Sequence, residues 1–410
     1  MLALLVLAVL SVSRCYRVCL SAIVKDEEKV IVRFLTNNKY AFDRFDITDT
    51  GSTDKTVNLT TQFFEQHRLS GQVHYFAWVD DFGKAKSYAL ERSKEQGCEH
   101  IVFLDADEEM WSSKMKPLTS AEQQTFFRDM DRMCPVVCNA QIYSHGAKWW
   151  RSFAIAGNIK ESRFFGSRHE YVDSANHGPT TYLENYYVNA RRDQTRHDRE
   201  KNSLILDGLA LERDAAKGVN VGRSLYYAGQ SYEQGGDLER ALTLYRKRVK
   251  SDGWNQEKFI AQLRIGIILQ NLNGFNESIA AFFDAMKIDD TRSEPYYYLA
   301  KGFRNDENFM ACYMMAKEGA LKKISTDHLF ADENIFTVAV HDEAAVCSSY
   351  LPQYRVESLE YFIYLNRKQP NDLRIRANLL WVNSTLLDAY NKAMLPSSAA
   401  RTKLLKLWRQ

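Results

Sequence analysis

Two carboxylates one residue apart, Asp105 and Asp107, follow directly on the apolar run Ile101-Val102-Phe103-Leu104. A buried strand that ends this way delivers both acids to one turn. Their oxygens suit a hard divalent ion, Mn²⁺ or Mg²⁺, bridging a diphosphate. Such an ion acts as a Lewis acid on a leaving phosphate. An Asp-x-Asp alone also reads as an ordinary acidic strand end. A second acidic stretch, Asp49-Thr50-Gly51-Ser52-Thr53-Asp54, follows the strand-like Arg44–Thr48. Gly51 allows a sharp turn. Ser52 and Thr53 suit the start of a helix, whose N-terminus favours Asp54. Either this is a capped strand-to-helix turn, or its carboxylates accept hydrogen bonds from the base or ribose of a nucleotide.

The elements around these acids alternate. Val18–Val24, Arg44–Thr48, Val73–Trp78 and Ile101–Leu104 read as strands. Glu27–Asn38, Thr56–His67 and Lys84–Glu95 read as helices. That alternation predicts an α/β layer with a largely parallel sheet. Ligands of such sheets bind beyond the carboxyl ends of the strands, where both acidic stretches fall.

From about Ser203 the text turns helical and repeats. Leu225, Ala228-Gly229 and Tyr232 with Ala241 and Tyr245 form one unit. Ile265-Gly266 and Leu269 with Ser278 and Phe282 form the next. Tyr296, Leu299-Ala300 and Phe303 with Cys312 and Ala316 form a third. A looser fourth runs from Ala345-Val346 and Ser349 to Ser358 and Phe362. These units resemble tetratricopeptide repeats, helix pairs with small residues where the two helices cross. Stacked pairs leave a concave face that fits a protein partner or an extended acceptor.

Four ordered stretches carry a wider resemblance: Ser21–Glu28, Asp49–Asp54, Trp78-Val79-Asp80-Asp81-Phe82 with Ala85 and Ala89-Leu90, and Phe103–Glu109. Together they resemble a family 2 glycosyltransferase with the GT-A fold, in the branch that carries tetratricopeptide-like repeats behind the catalytic domain. The resemblance spans about residues 18–370. It implies an α/β, Rossmann-like GT-A domain binding a nucleotide-sugar, followed by an all-α repeat domain. It implies inverting transfer of a sugar from a nucleotide diphosphate-sugar, UDP-sugar favoured, to a glycan, lipid or protein acceptor. By that resemblance Asp49 and Asp54 contact the nucleoside, while Asp105 and Asp107 hold metal and diphosphate. Lys86 stands where relatives often carry an arginine; it keeps the charge and loses the planar fork. Gly166-Ser167-Arg168-His169-Glu170 is similar to the branch's Gly…His-Glu element. It makes Glu170 the expected base on the acceptor hydroxyl, with His169 orienting the acceptor or reaching the metal. Trp149-Trp150 either stack on a sugar or sit in the core. The basic stretch Arg191–Lys201 is either a solvated linker or a closing lid, with His197 as a third metal ligand.

Composition frames these expectations. The chain has 410 residues, 45% hydrophobic and 26% charged, which suits two or three folded domains. A formal charge of +2 gives no broad basic field for nucleic acid. Seven cysteines are too few for a disulfide scaffold and lack metal-site spacing, so ordinary thiols are expected unless the chain enters a secretory lumen. The apolar run Met1–Val12 has the length of a signal-peptide core but no basic residues before it. It reads either as a signal or short anchor, or as a buried extension. The expected organisation is an apolar segment at 1–16, a transferase domain at 17–202, repeats at 203–330, and a further repeat with terminal helices at 331–410. The alternative is a repeat-based protein-interaction scaffold whose transferase domain is inactive.

Overall fold

The computed structural model describes residues 16–144, 147–159, 161–172, 180–191, 200–325, 327–391 and 398–408. The chain divides into two compact units, 1–227 and 228–410.

The first unit is built on a mixed sheet. Its strands are β1 (Tyr16–Val24), β2 (Arg44–Asp49), β3 (Gly71–Tyr75), β4 (Cys98–Phe103), β5 (Glu108–Ser112), β6 (Val137–Ser144), β7 (Ala147–Ala156) and β10 (Thr181–Ala190). A small separate ribbon pairs β8 (Phe164–Phe165) with β9 (Tyr171–Val172). The order across the large sheet is β3-β2-β1-β4-β7-β6-β10-β5. The first four strands are parallel to one another, and β7 runs antiparallel against β4. Helices α1 (Ile31–Asn38), α2 (Thr56–His67) and α3 (Phe82–Glu95) link the parallel strands; α4 (Ser120–Met133) follows β5. Val18, Leu20, Phe34, Phe45, Ile47, Val102 and Phe126 bury fully or almost so in the main core. All six residues of β2 are buried, as expected of a strand covered on both faces.

The parallel part follows the strand and helix order read from the sequence, with α1 starting at Ile31 rather than Glu27, and β3 starting two residues earlier and ending sooner than expected. The unit's end differs from the expected boundary near residue 202. Helix α5 (Glu200–Ala216) and the start of α6 (Val221–Gly235) belong to the first unit. Asp214 of α5 accepts the Ser167 N–H at 2.8 Å, and Asp207 accepts from Arg168 Nε at 2.5 Å.

The second unit is helical. Counting from α6, its pairs are α6 with α7 (Leu238–Lys250), α8 (Asn255–Asn273) with α9 (Phe275–Ile288), and α10 (Glu294–Asn305) with α11 (Phe309–Ala320). Then come α12 (Val340–Ser349) with α13 (Arg355–Lys368), followed by α14 (Leu373–Asn391) and α15 (Ser398–Trp408), both of which meet α13. A short π-helical turn, Ile335–Ala339, leads into α12. Each of the four sequence units falls on one pair, including the loose fourth. Gly229 faces the Tyr245 ring and Gly266 the Phe282 ring, so the small residues do stand where paired helices cross.

The cysteines correct the expectation of free thiols. Cys19 pairs with Cys98 across β1 and β4, Cys134 with Cys138, and Cys312 with Cys347 across α11 and α12. The partners lie far apart in sequence in two of the three cases, which is why spacing did not reveal them. Among the described residues no helix is long and apolar enough to cross a membrane. The apolar segment 1–15 lies outside the described residues.

Candidate functional site

The parallel strands put their carboxyl ends at nearly one level. Val24 of β1 stands beside Asp49 of β2, and Ser21 beside Phe103 of β4. Asp105, two residues past Phe103, therefore emerges next to the end of β1. Asp49 and Asp105 flank β1 from either side, about two strand spacings (~10 Å) apart.

Asp49 is almost fully buried and shapes its own turn. Its carboxylate accepts the N–H groups of Gly51 at 3.0 Å and Ser52 at 3.1 Å. Gly51 holds φ at +105°, a backbone state that favours glycine. Each carboxylate oxygen still keeps lone-pair capacity for a ligand donor. Asp54 is set differently. It accepts from Thr56 N–H at 2.9 Å, Thr56 Oγ1 at 2.5 Å and Glu28 N–H at 3.0 Å, just ahead of α2. Burial works against its charge, but these bonds outweigh it and hold the carboxyl below its ordinary value. Asp54 thus ties the 26–28 loop to the helix start.

Asp105, Lys86 and Glu170 come together. Lys86, on α3, sets its Nζ 2.5 Å from Glu170 and 3.5 Å from Asp105. Burial opposes the ammonium, yet Asp105 and Glu170 hold its pKa above the ordinary value. Asp107 is half-buried on the same turn as Asp105, and its carbonyl accepts the Arg191 N–H at 2.9 Å. Arg191, first residue of the basic stretch, also places Nε 3.5 Å from Glu109. Residues 192–199 of that stretch, including His197, lie outside the described residues, and its last two, Glu200 and Lys201, open α5.

Two groups here were not foreseen. Arg151 of β7 lies 3.8 Å from Asp105 and binds Glu108 through both terminal nitrogens, each at 2.7 Å. Glu108 Oε2 accepts the Asp105 N–H at 2.9 Å, and the Glu108 N–H returns to the Asp105 carbonyl at 2.9 Å. The acidic turn is therefore pinned by a charge pair. Burial pushes the Glu108 carboxyl up, against the pull of Arg151. Glu108 is part of the acidic motif and was readable in it. Arg151 lies 43 residues from Glu108 in a strand without a motif, so only the antiparallel pairing of β7 reveals it. Trp149 and Trp150 lie in β7 opposite Ile142 and Gln141.

His169 lies beside this cluster but faces another way. Its ring stacks on Tyr227 of α6, centroids 4.1 Å apart at 15°. Its φ is +49°, in the left-handed region. Arg168 bridges Asp80 at 2.6 Å and Asp207, and Arg213 adds a second contact to Asp80 at 2.9 Å. Asp81 caps α3 through the Lys84 N–H at 2.9 Å. The Trp78–Phe82 loop is thereby fixed to the Gly166–Glu170 element. Gly83 packs so closely there that a Cβ would lie 2.6 Å from the Gly166 carbonyl.

The donor set fits a hard divalent ion. Asp105 and Asp107 stand on one turn as carboxylates of the kind that could hold such an ion, and among the described residues they belong to no group of three metal-ligating side chains. Phosphate oxygens and water would fill the remaining positions, as Mg²⁺ and Mn²⁺ sites commonly require.

No family model matches the chain. Over 163 residues it is 26% identical to a TPR repeat-containing protein of Synechococcus elongatus. That stretch is 39% of this chain and 36% of the relative, so the chain spans about a third of the relative's length. Two crystal structures of MamA align with 44% and 46% of this chain at 14% identity, with TM-scores of 0.30 and 0.32, covering 92% and 93% of MamA. Sequence spacing, helix pairing and the TPR relative agree on the repeats: the second unit carries tetratricopeptide-like helix pairs.

Proposed function

We infer that the first unit is a metal-dependent, inverting glycosyltransferase that takes a sugar from a nucleotide diphosphate-sugar, UDP-sugar favoured, and passes it to a glycan, lipid or protein acceptor. The observation that carries this reading is the convergence of Asp105, Lys86 and Glu170 at the carboxyl ends of parallel strands, with Asp49 on the far side of β1. The parallel order β3-β2-β1-β4 with an antiparallel neighbour is what a GT-A domain would require. In this reading Asp49 receives hydrogen bonds from the nucleoside. Asp105 and Asp107 hold Mn²⁺ or Mg²⁺, which supplies Lewis-acid neutralisation of the departing diphosphate. Lys86 and Arg151 add positive charge beside the same phosphates. Glu170 takes the proton from the acceptor hydroxyl.

A second reading keeps only the repeats: a protein-interaction scaffold whose first unit no longer turns over. The TPR relative and the helix pairs support this part directly, and the comparisons offer no matching support for transfer. The two readings combine if the repeats hold a protein partner or an acceptor for the first unit. Calorimetric titration of the whole chain with UDP, with and without Mn²⁺, separates them. Metal-dependent binding lost in Asp107→Ala is the result expected of the transferase. No UDP binding in either condition leaves the scaffold.

A further inference from the structure

Each of the four adjacent parallel strands sends one metal-ligating side chain to a common buried spot. Cys19 stands on β1, Asp46 on β2, His74 on β3 and Cys98 on β4. In register, Cys19 lies opposite Arg44 and Ser21 opposite Asp46, and side chains two apart on a strand share a face. The ligand atoms of Cys19, Asp46 and Cys98 all lie within 4.8 Å of one another, and all three residues are buried. Asp46 Oδ2 is 3.9 Å from the Cys98 sulfur, and Asp46 Oδ1 is 3.3 Å from His74 Nε2. Arg44 donates to the same carboxylate from Nε at 3.0 Å.

A sheet face covered by helices ordinarily carries apolar side chains. Here a carboxylate and a hydroxyl, those of Asp46 and Ser21, are fully buried, and Ser21 Oγ has no hydrogen-bond partner among the described residues. The Cys19–Cys98 bond accounts for the two sulfurs but not for the acid and imidazole gathered at them. Two cysteines, a histidine and a carboxylate form a zinc donor set. Ligand atoms around a tetrahedral zinc ion stand about 3.3–3.8 Å apart, close to the separations Asp46 keeps from His74 and Cys98. Two thiolates and a carboxylate carry three negative charges, which the ion and Arg44 balance. That neutrality matters at a buried site.

We propose that, once the Cys19–Cys98 bond is reduced, these four side chains bind one Zn²⁺, which clasps the parallel strands in the disulfide's place. A dithiol supplies the two electrons and two protons that open the bond and leaves as its own disulfide. Zn²⁺ then displaces both thiol protons to solvent. Thiolate ligands select zinc over Mg²⁺ or Mn²⁺. Arg44 acts from outside the ligand shell, orienting Asp46. The site is independent of the transferase reading, because it uses none of the residues at the strand ends.

The test uses the whole chain, reduced with dithiothreitol and freed of it by gel filtration under argon. Titration with Co²⁺ should raise a sulfur-to-cobalt charge-transfer band that saturates at one ion per chain and disappears when Zn²⁺ displaces the cobalt. Cobalt held at Asp105 and Asp107 has no sulfur ligand and gives no such band, and the unreduced chain should give none. Cys19→Ser should abolish the band. His74→Asn should weaken zinc at least about tenfold, the lower end of what even an outer-shell change costs. Cooperative melting of both variants without metal shows that they fold; should Cys19→Ser fail to, Cys98→Ser takes its place. A second buried trio, Cys312, Glu343 and Cys347, is the competing location. No sulfur band in the reduced parent, a band that persists in Cys19→Ser, or equal zinc affinity in His74→Asn and parent overturns the site. A band lost in Cys312→Ser but kept in Cys19→Ser puts the ion in the second trio and overturns it as well.

Discussion

Arg151 grips Glu108 with a two-pronged contact, each nitrogen–oxygen distance 2.7 Å, and through it fixes a turn that neither residue's own chemistry would explain. The same Glu108 oxygen that meets Arg151 Nη2 also accepts the Asp105 N–H. The direction in which Asp105 leaves β4 is thus set by an arginine on a strand of opposite direction. A fork of this kind is both strong and directional.

Breaking the fork should therefore cost stability and geometry together. Glu108 is buried, and Arg151→Met would strand its carboxylate beside Asp105. Loss of one partner from a buried pair costs about 3–5 kcal/mol. Arg151 keeps 31% of its side chain exposed, so about 2–3 kcal/mol is expected. Urea unfolding would measure it, and metal-dependent UDP affinity should fall in parallel. Glu108→Gln still offers an acceptor to the Asp105 N–H and should be milder. An Arg151→Met chain as stable as the parent would show that the fork is incidental.

Glu170→Gln keeps size and hydrogen bonding but cannot take a proton. If Glu170 is the base, sugar transfer should drop about 10²–10⁴-fold. UDP affinity should stay nearly constant, because Lys86 still has Asp105 within 3.5 Å. A donor-hydrolysis and transfer assay on one preparation would show both. Near-parental transfer would move the base elsewhere, with Glu161 next in line.

His341 on α12 makes the second unit acid-sensitive. Its ring stacks on Tyr364, centroids 4.6 Å apart, and its Nδ1 is buried with no hydrogen-bond partner among the described residues. Burial, then Lys368, lowers its pKa to about 4. The unfolded chain binds the proton at the ordinary value near 6.5, so between those limits it holds more protons than the folded chain. The stability from the neutral ring is fully present above pH 6.5 and is lost as pH falls toward 4. At pH 5 the loss should be about 1–2 kcal/mol. His341→Phe should flatten that dependence, read as urea midpoints at pH 7 and pH 5. Equal slopes in both chains would remove His341 from the account.

The disulfides predict a covalent pattern. Peptide mapping without reduction should recover Cys19 linked to Cys98 and Cys312 linked to Cys347. Reducing such a crosslink typically costs about 2–5 kcal/mol. Free thiols titrating at these four positions in the native chain would contradict the pairing.

Much of this architecture was legible in the sequence because its signals are local. Strands β1 and β4 announce themselves as apolar runs, β2 as Phe45 and Ile47 alternating with polar residues, and α2 occupies the Thr56–His67 span that its period indicated. The repeat units were readable because the crossing of two helices demands small residues at fixed offsets. What escaped was set by long-range pairing. Arg151 reaches the acidic turn only because β7 inserts beside β4. Asp207 and Asp214 join the first unit because Arg168 and the Ser167 N–H need acceptors, a demand invisible in helical text. Asp54 and Asp49 sit in one motif, yet one anchors a loop and the other lines the strand ends; spacing alone does not separate those roles.

The helix crossings supply the last test. Gly266 on α8 faces Phe282 on α9, and an added Cβ would lie 2.6 Å from a ring carbon. Alanine would gain about 1 kcal/mol of helix propensity over glycine. Phe282 is fully buried, so its ring has nowhere to swing, and overpacking of this kind costs about 1–3 kcal/mol. The steric term should win, and Gly266→Ala should lower the melting temperature of the whole chain. Phe282→Leu alone should also destabilise, by leaving a void. Combined, the two changes relieve each other, because the smaller side chain makes room for the new methyl. The double variant should therefore be more stable than the sum of the single effects, by about 0.5–3 kcal/mol for residues in contact. Strict additivity would mean that the helices separate slightly to admit the methyl, and that the glycine is not what sets their approach.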